Sequence, residues 1–90
     1  MYAIEYDTKV RSDMLKLGGS EKVRVKRAID TKLILNPTLY GKPLQYSLVG
    51  LRSFRVGEYR VIFRLEESII FIVFIGHRKN VYQSTRKRAL

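Results

Sequence analysis

Apolar residues between Leu51 and Tyr82 follow two rhythms. From Ser53 to Phe63 they alternate with polar ones across Gly57-Glu58, and from Ile69 to Ile75 they run without a break. Alternation marks a half-buried strand, while a short continuous run between turn residues marks a strand covered on both faces. The stretch therefore predicts three antiparallel strands, with turns at Gly57-Glu58 and Glu66-Glu67. A two-residue loop at Gly57-Glu58 sets Val56 opposite Tyr59, Arg55 opposite Arg60, Phe54 opposite Val61 and Ser53 opposite Ile62. Phe54, Val56, Tyr59, Val61 and Phe63 then share one face, the core face. Arg55, Arg60 and Arg64 emerge on the other, interleaved with Leu51, Ser53 and Ile62.

Met1 to Tyr6 alternates weakly and suits a short first strand. Asp7 or Thr8 can cap a helix bearing Val10, Met14 and Leu17 on one stripe, which Gly18-Gly19 would stop. Ser20 caps a second helix with Val25, Ala28, Ile29 and Leu33 on its apolar face. That helix should end near Asn36, because Pro37 disfavours helix at the residue before it. The two helices form a hairpin expected to cover one face of the sheet. Thr38 to Ser47 reads as an irregular connection from which Lys42 and Tyr46 can reach a ligand. The tail from Asn80 to Leu90 is a short basic helix or a mobile arm. The expected fold is α+β: a small, mostly antiparallel sheet in the order β-α-α-β-β-β, carried by a single domain over residues 1–90.

Charge changes this picture. The chain has 18 Lys+Arg against 8 Asp+Glu, a net +10. No acidic residue follows Glu67, whereas Arg78, Lys79, Arg86, Lys87 and Arg88 do. Such an excess points to a polyanion: nucleic acid first, an acidic protein second, a membrane surface third. The absence of cysteine excludes a disulfide framework or a cysteine-zinc site and fits a reducing cytosol. The longest apolar run falls far short of the ~20 residues that cross a bilayer. No segment has a signal-peptide layout, so a cytoplasmic protein without membrane contact is expected.

Arg55 facing Arg60 is a cross-strand repulsion of up to ~1 kcal/mol. A surface built for phosphate tolerates it, because guanidinium grips phosphate oxygens through a bidentate fork. A solvated basic sheet face is the plainer alternative. With Glu66-Glu67 as the second turn, the register carries His77 to the face of Arg55 and Arg60. Arg78 and Tyr82 follow at the sheet end, and the five residues would ring one shallow cleft. Arg52, Arg64, Lys42 and Lys79 add cations for RNA contact. His77 is the sole histidine, so no histidine pair or histidine-rich metal site exists, and no metal or cofactor is expected.

A set of this kind suits a phosphodiester. Cleaving RNA through its own 2′-hydroxyl needs a base for that proton, cations for the phosphorane and an acid for the 5′-oxygen. Arginines serve the second role as preorganised charge. A histidine, or a tyrosine set among arginines, can move the protons. Tyr82 can instead stack on a base. Taken singly, His77 reads as a strand-end residue and Tyr82 as packing for the tail; only their clustering favours chemistry.

The run GLRSFRVGEYRVIF (Gly50 to Phe63), followed by IGHRKNVY (Ile75 to Tyr82), resembles the C-terminal half of RelE-type toxins of the RelE/ParE toxin–antitoxin superfamily. The helical first half agrees in layout and length only. The resemblance implies a compact toxin inhibited by wrapping with an acidic cognate antitoxin, and reaching operator DNA only through that complex. RelE members cut mRNA in the ribosomal A site without metal, leaving a 2′,3′-cyclic phosphate. On this resemblance Arg60 is the transition-state arginine and Arg78 a charge stabiliser or general acid. Tyr82 stacks on the substrate base or helps proton transfer, and His77 falls where many members carry histidine. Leu51 and Ser53 stand where the best-studied members carry two lysines, one a proposed base. Arg52 and Arg55 keep the strand basic, but guanidinium scarcely deprotonates. The base then falls to His77 or Tyr82. Two other readings stand beside the endonuclease: a ParE-like inhibitor of DNA gyrase, and a degenerate toxin kept as an antitoxin-binding co-repressor.

Overall fold

The chain runs β1 (Ala3–Tyr6), α1 (Val10–Leu15), α2 (Gly19–Ala28), α3 (Pro37–Tyr40), β2 (Gly41–Pro43), β3 (Arg52–Val56), β4 (Tyr59–Glu66), β5 (Ile69–His77) and α4 (Val81–Ala89). The structure, a computed structural model, describes residues 1–89. Its strands form one five-stranded sheet in the order β1-β5-β4-β3-β2. The α+β class and the helical hairpin on one sheet face are as the periodicity predicts.

The β3–β4 register also agrees with the alternation: Val56 pairs with Tyr59, Arg55 with Arg60, Phe54 with Val61 and Ser53 with Ile62. Gly57 at φ 60° supplies the left-handed position that a tight two-residue hairpin demands at its first loop residue. On the core face Phe54, Val56, Val61 and Phe63 pack with Ile70, Ile72 and Ile75 against Val10, Leu17, Val25, Ile29 and Leu33 of the helical layer. Past Ala28 the second helix continues over Ile29–Leu33 as a wider turn, with Ile34 N–H donating to Ile29 C=O at 3.1 Å.

The expected irregular connection holds more order than its sequence suggests. Asn36 caps α3 by accepting from Leu39 N–H at 3.2 Å, with Pro37 in the first helical turn. Gly41 then starts β2, a three-residue edge strand antiparallel to β3. A Cβ at Gly41 would stand 2.1 Å from Phe63 Cζ and 2.9 Å from the Pro37 carbonyl oxygen. Gly41→Ala is therefore expected to destabilise the fold by about 1–3 kcal/mol, as overpacking does. Urea denaturation would read this directly; an unmoved midpoint would mean that Phe63 swings aside freely.

One feature completes the sequence expectation and two depart from it. The first strand joins the sheet in parallel with β5, pairing Ala3 with Ile69. The second turn falls one residue later, at Glu67-Ser68, because Glu66 pairs with Ile69. Within β5, Ile62 pairs with Phe74 but Phe63 with Ile72, so Val73 is an extra, bulged residue. One inserted residue turns every side chain beyond it to the opposite face.

Helix α4 covers part of the second face, so the basic-helix alternative for the tail holds, with Leu90 outside the described residues. Under it Ile62, Val73, Phe74 and Val81 make a smaller core, joined by Leu44, Leu51, Phe71 and Tyr82. An ion pair anchors it. Arg88 donates to both carboxylate oxygens of Asp13, at 2.6 and 3.0 Å, and to the carbonyl of the bulged Val73 at 3.0 Å. Asp13 also accepts from Ile75 N–H at 3.2 Å, where β1 has ended and the β5 edge would otherwise be bare.

Candidate active site

Arg55, Arg60 and Gly76 lie side by side on β3, β4 and β5, on the face opposite the helical layer. Directly opposed residues of this kind have Cβ positions roughly 5 Å apart. Arg60 thus has an arginine on one flank and a glycine on the other. The Phe74 ring lies over the glycine: a Cβ at Gly76 would meet Phe74 Cε2 at 2.5 Å. Arg60 Nε is buried with no hydrogen-bond partner among the described residues. A buried donor left unmade costs about 1–3 kcal/mol, and more in a charged group.

Three further candidate side chains lie around this part of the sheet. Arg78 follows β5, with its N–H donating to the Glu58 carbonyl at 2.8 Å and its Nε held by the Glu58 carboxylate at 2.6 Å. Both side chains of that pair are more than half exposed, so an anion can compete for the guanidinium. Tyr82 sits half-buried in the first turn of α4, packed on the Ile62 core. Lys42, exposed on β2, stands beside Ser53 on the same face.

The other candidates do not join them. His77 pairs with Tyr59, not with the face of Arg55 and Arg60, and its ring meets Tyr59 edge-on at 5.6 Å. The bulge at Val73 is the reason, since without it the strand alternation would have carried His77 to the arginine face. The imidazole Nδ1 accepts from the N–H of Lys79 at 3.1 Å, which ties both residues into the turn beyond β5. Arg52 pairs with Phe63 on the helix-covered face and donates to the Gly41 carbonyl at 2.8 Å. Arg64 is on the arginine face but four residues along β4 from Arg60, roughly 13 Å away at 3.3 Å per residue. There it is held by Glu66 at 2.6 Å and stacked on Phe71 at 4.2 Å.

Sequence reasoning missed Asp13, whose carboxylate holds α4 and so the place of Tyr82; a lone aspartate on a helix carries no local signal of a partner far along the chain. Tyr46 is 89% exposed and held at φ 58°, a strained backbone for a non-glycine residue. On the helical layer burial pushes the Tyr6 phenol up, and a hydrogen bond to Asp30 pushes Lys26 up. Among the described residues no three His, Cys, Asp or Glu side chains gather as metal ligands would, and no helix is long and apolar enough to cross a membrane.

Residues 4–82 match the family described as ParE toxin of type II toxin-antitoxin system, parDE. Toxin RelG of Mycobacterium tuberculosis is 31% identical over 84 residues, spanning 91% of this chain and 97% of that one. The chain belongs to the RelE/ParE superfamily of type II toxins. Its RelE character rests on RelG and on Toxin RelE of the same organism, 38% identical over 53 residues, or 57% of this chain and 55% of that one. The crystal structure of the RelBE2 toxin–antitoxin complex from M. tuberculosis agrees with a TM-score of 0.81 and 30% identity, covering 86% of this chain and 98% of its counterpart. Isolated Escherichia coli RelE, at 19% identity, shares the fold over the whole of both chains with a TM-score of 0.71.

Within this RelE-type toxin, of the four residues marked by the motif resemblance, Arg60 and Tyr82 lie on the α4 side of the sheet, Arg78 is tied to Glu58 at the β3–β4 turn, and His77 lies on the other face. The two positions at which the motif resemblance implies lysines are covered to different degrees here. Leu51 packs into the smaller core, and Ser53 is 4% exposed with its hydroxyl unpaired.

Proposed function

We propose that this toxin is an endoribonuclease that cleaves mRNA in the ribosomal A site by attack of the substrate's own 2′-hydroxyl. The observation that carries the reading is Arg60: a half-buried arginine, its Nε buried and unpaired among the described residues, set beside Arg55 on the face opposite the helical hairpin. Such a donor is preorganised for charge that develops on a phosphorane, and does so without metal. Arg55 and Arg78 hold the flanking phosphates and Lys42 adds a cation beside them. With His77 on the other face, proton transfer in this reading falls to the Tyr82 hydroxyl, carried by α4 on the side of the sheet that bears Arg60. The cytosolic partners in this reading are the translating ribosome, mRNA and a cognate acidic antitoxin that also mediates contact with operator DNA.

A translation reaction with purified toxin, followed by primer extension on the mRNA, tests this. New 5′ ends within A-site codons, formed only on translating ribosomes, are expected. Intact mRNA with unharmed translation would remove the reading. A second reading, gyrase inhibition, takes its support from the ParE description of the matching family; a supercoiling assay then decides. Association with the ribosome is also expected to weaken steeply with salt, because phosphate contacts release counterions. A flat response in a sedimentation assay between low and physiological salt would point to a protein contact instead.

A further inference from the structure

Between β2 and β3 the chain makes a loop, residues 44–51, that is fixed along its length. Leu44 N–H donates to Leu51 C=O at 2.9 Å and closes the base of the loop, and Leu48 is buried. Tyr46–Leu48 forms one tight turn, with Val49 N–H donating to Tyr46 C=O at 3.2 Å. The Ser47 hydroxyl accepts from Arg86 Nε at 3.3 Å, which ties the loop to α4. The backbone turns left-handed twice here. At Gly50, φ 96°, glycine adopts this freely, whereas at Tyr46, φ 58°, a side chain is forced into it. No packing of its own offsets that strain, because Tyr46 is 89% exposed.

The surroundings of this tyrosine are cationic. From Thr31 to Gly57 the chain has no Asp or Glu, and neither does α4. Lys42 stands exposed on the sheet face that bears α4, and Arg86 and Lys87 are exposed on α4 itself. One carboxylate, Asp7, lines the cavity of about 390 Å³ beside the loop, and it accepts from Lys9 N–H at 2.9 Å. Apart from Val49, no other large apolar side chain is exposed between Gly41 and Arg52, so the patch is small for a protein contact. Arg86 lies four residues beyond Tyr82 on α4, on the same face of the helix and about 6 Å along its axis.

We infer that Tyr46 is a platform on which an unpaired RNA base stacks, with Arg86 gripping the phosphate beside it. A solvent-facing aromatic ring among cations suits single-stranded nucleic acid: the ring takes the face of any base, and the cations take the backbone. The fixed loop lowers the ordering that binding would otherwise cost. In the endonuclease reading, on which this placing rests, the reacting nucleotide lies at Tyr82, Arg86 takes the next phosphate and Tyr46 the base beyond it. The base belongs to the mRNA or to the ribosomal RNA around it, since both offer the same flat face. The ring adds affinity without choosing among bases, so it serves grip and not sequence preference.

The test compares full-length wild type, Tyr46→Gly and Tyr46→Phe on two probes. One is a single-stranded 2′-O-methyl RNA, which cannot be cut, and the other is ribosomes programmed with an mRNA blocked in the same way at the A-site codon. Tyr46→Gly is expected to bind about 10-fold more weakly, the loss of one base stack. Its thermal melt should hold or rise, because glycine takes φ 58° without strain. A residue that merely shaped the loop would move both readouts down together. Tyr46→Phe, which keeps the ring, is expected to restore the affinity lost in Tyr46→Gly. On ribosomes whose message ends at the P-site codon, a persisting loss assigns the base to ribosomal RNA; a loss that needs the longer message assigns it to mRNA. Equal binding of wild type and Tyr46→Gly to both probes overturns the inference, and weaker antitoxin binding by the same variant would then give the ring to a protein. A Tyr46→Phe protein as weak as Tyr46→Gly overturns it too, because the hydroxyl would be the contact. Wild type that binds neither probe removes both this inference and the endonuclease reading. Wild type that binds both but leaves unblocked mRNA intact removes the endonuclease reading alone.

Discussion

Arg60→Ala is expected to lower ribosome-dependent mRNA cleavage by about 10²-fold or more, the scale seen when one preorganised oxyanion donor is removed. Stability should move the other way or not at all. The substitution removes a buried Nε that has no partner and relieves the cross-strand repulsion with Arg55. Together these predict an unfolding free energy equal to the wild type's, or higher by up to ~1 kcal/mol. Arg60→Lys should recover only part of the rate, because an ammonium keeps the charge but not the planar fork. Single-turnover cleavage on programmed ribosomes and urea melts of the same preparations give both quantities. A folded Arg60→Ala protein that cleaves at the wild-type rate would sink the assignment. A variant that loses activity and stability together would make Arg60 a structural residue.

Arg88→Ala carries the largest expected effect on stability. Asp13 is 2% exposed, and its carboxylate takes both Nη groups of Arg88 as well as Ile75 N–H. Removing the guanidinium strands a buried charge and the Val73 carbonyl, which is expected to destabilise by about 3–5 kcal/mol. That is a large share of the roughly 5–15 kcal/mol available to a small domain. Helix α4 should loosen first, so hydrogen exchange at the Thr85 amide should accelerate with the fall in the urea midpoint. Replacing both partners, Asp13→Leu with Arg88→Met, should recover much of the loss, because a buried pair contributes little over a packed apolar substitute. A drop below ~1 kcal/mol for Arg88→Ala would mean that the loop around Asp13 opens to water. Activity of the double variant then separates stability from positioning: with α4 seated, Tyr82 keeps its place and cleavage should persist.

Local pattern determined a good deal of this protein by itself. Residue alternation, the Gly57-Glu58 turn and the breaks at Gly18-Gly19 and Pro37 are read within a few residues of chain, whereas Ser20, expected as a cap, lies inside α2 behind Gly18. They suffice for the α+β class, the helical hairpin, the β3–β4 register and the placing of Arg55 against Arg60. The motif around Gly57 and Arg78 also suffices for the superfamily, because turn geometry and the placing of the arginines are written into the same short run.

Tertiary structure decided the rest. The bulge at Val73 puts His77 beside Tyr59; neighbouring apolar residues give no sign of which one is extra, since Val73 and Phe74 are both paid for only by burial under α4. Asp13 and Arg88, 75 positions apart, meet because the β5 edge needs an acceptor where β1 ends and the bulge needs a donor for its carbonyl. Arg52 and Arg64 read alike as cations for RNA contact, yet a Gly41 carbonyl and the Glu66 carboxylate hold them away from the Arg55–Arg60 row. Register within a hairpin is settled by contacts a few residues apart. Which side chains share a site depends on contacts between distant parts of the chain, and those form only when the layers pack.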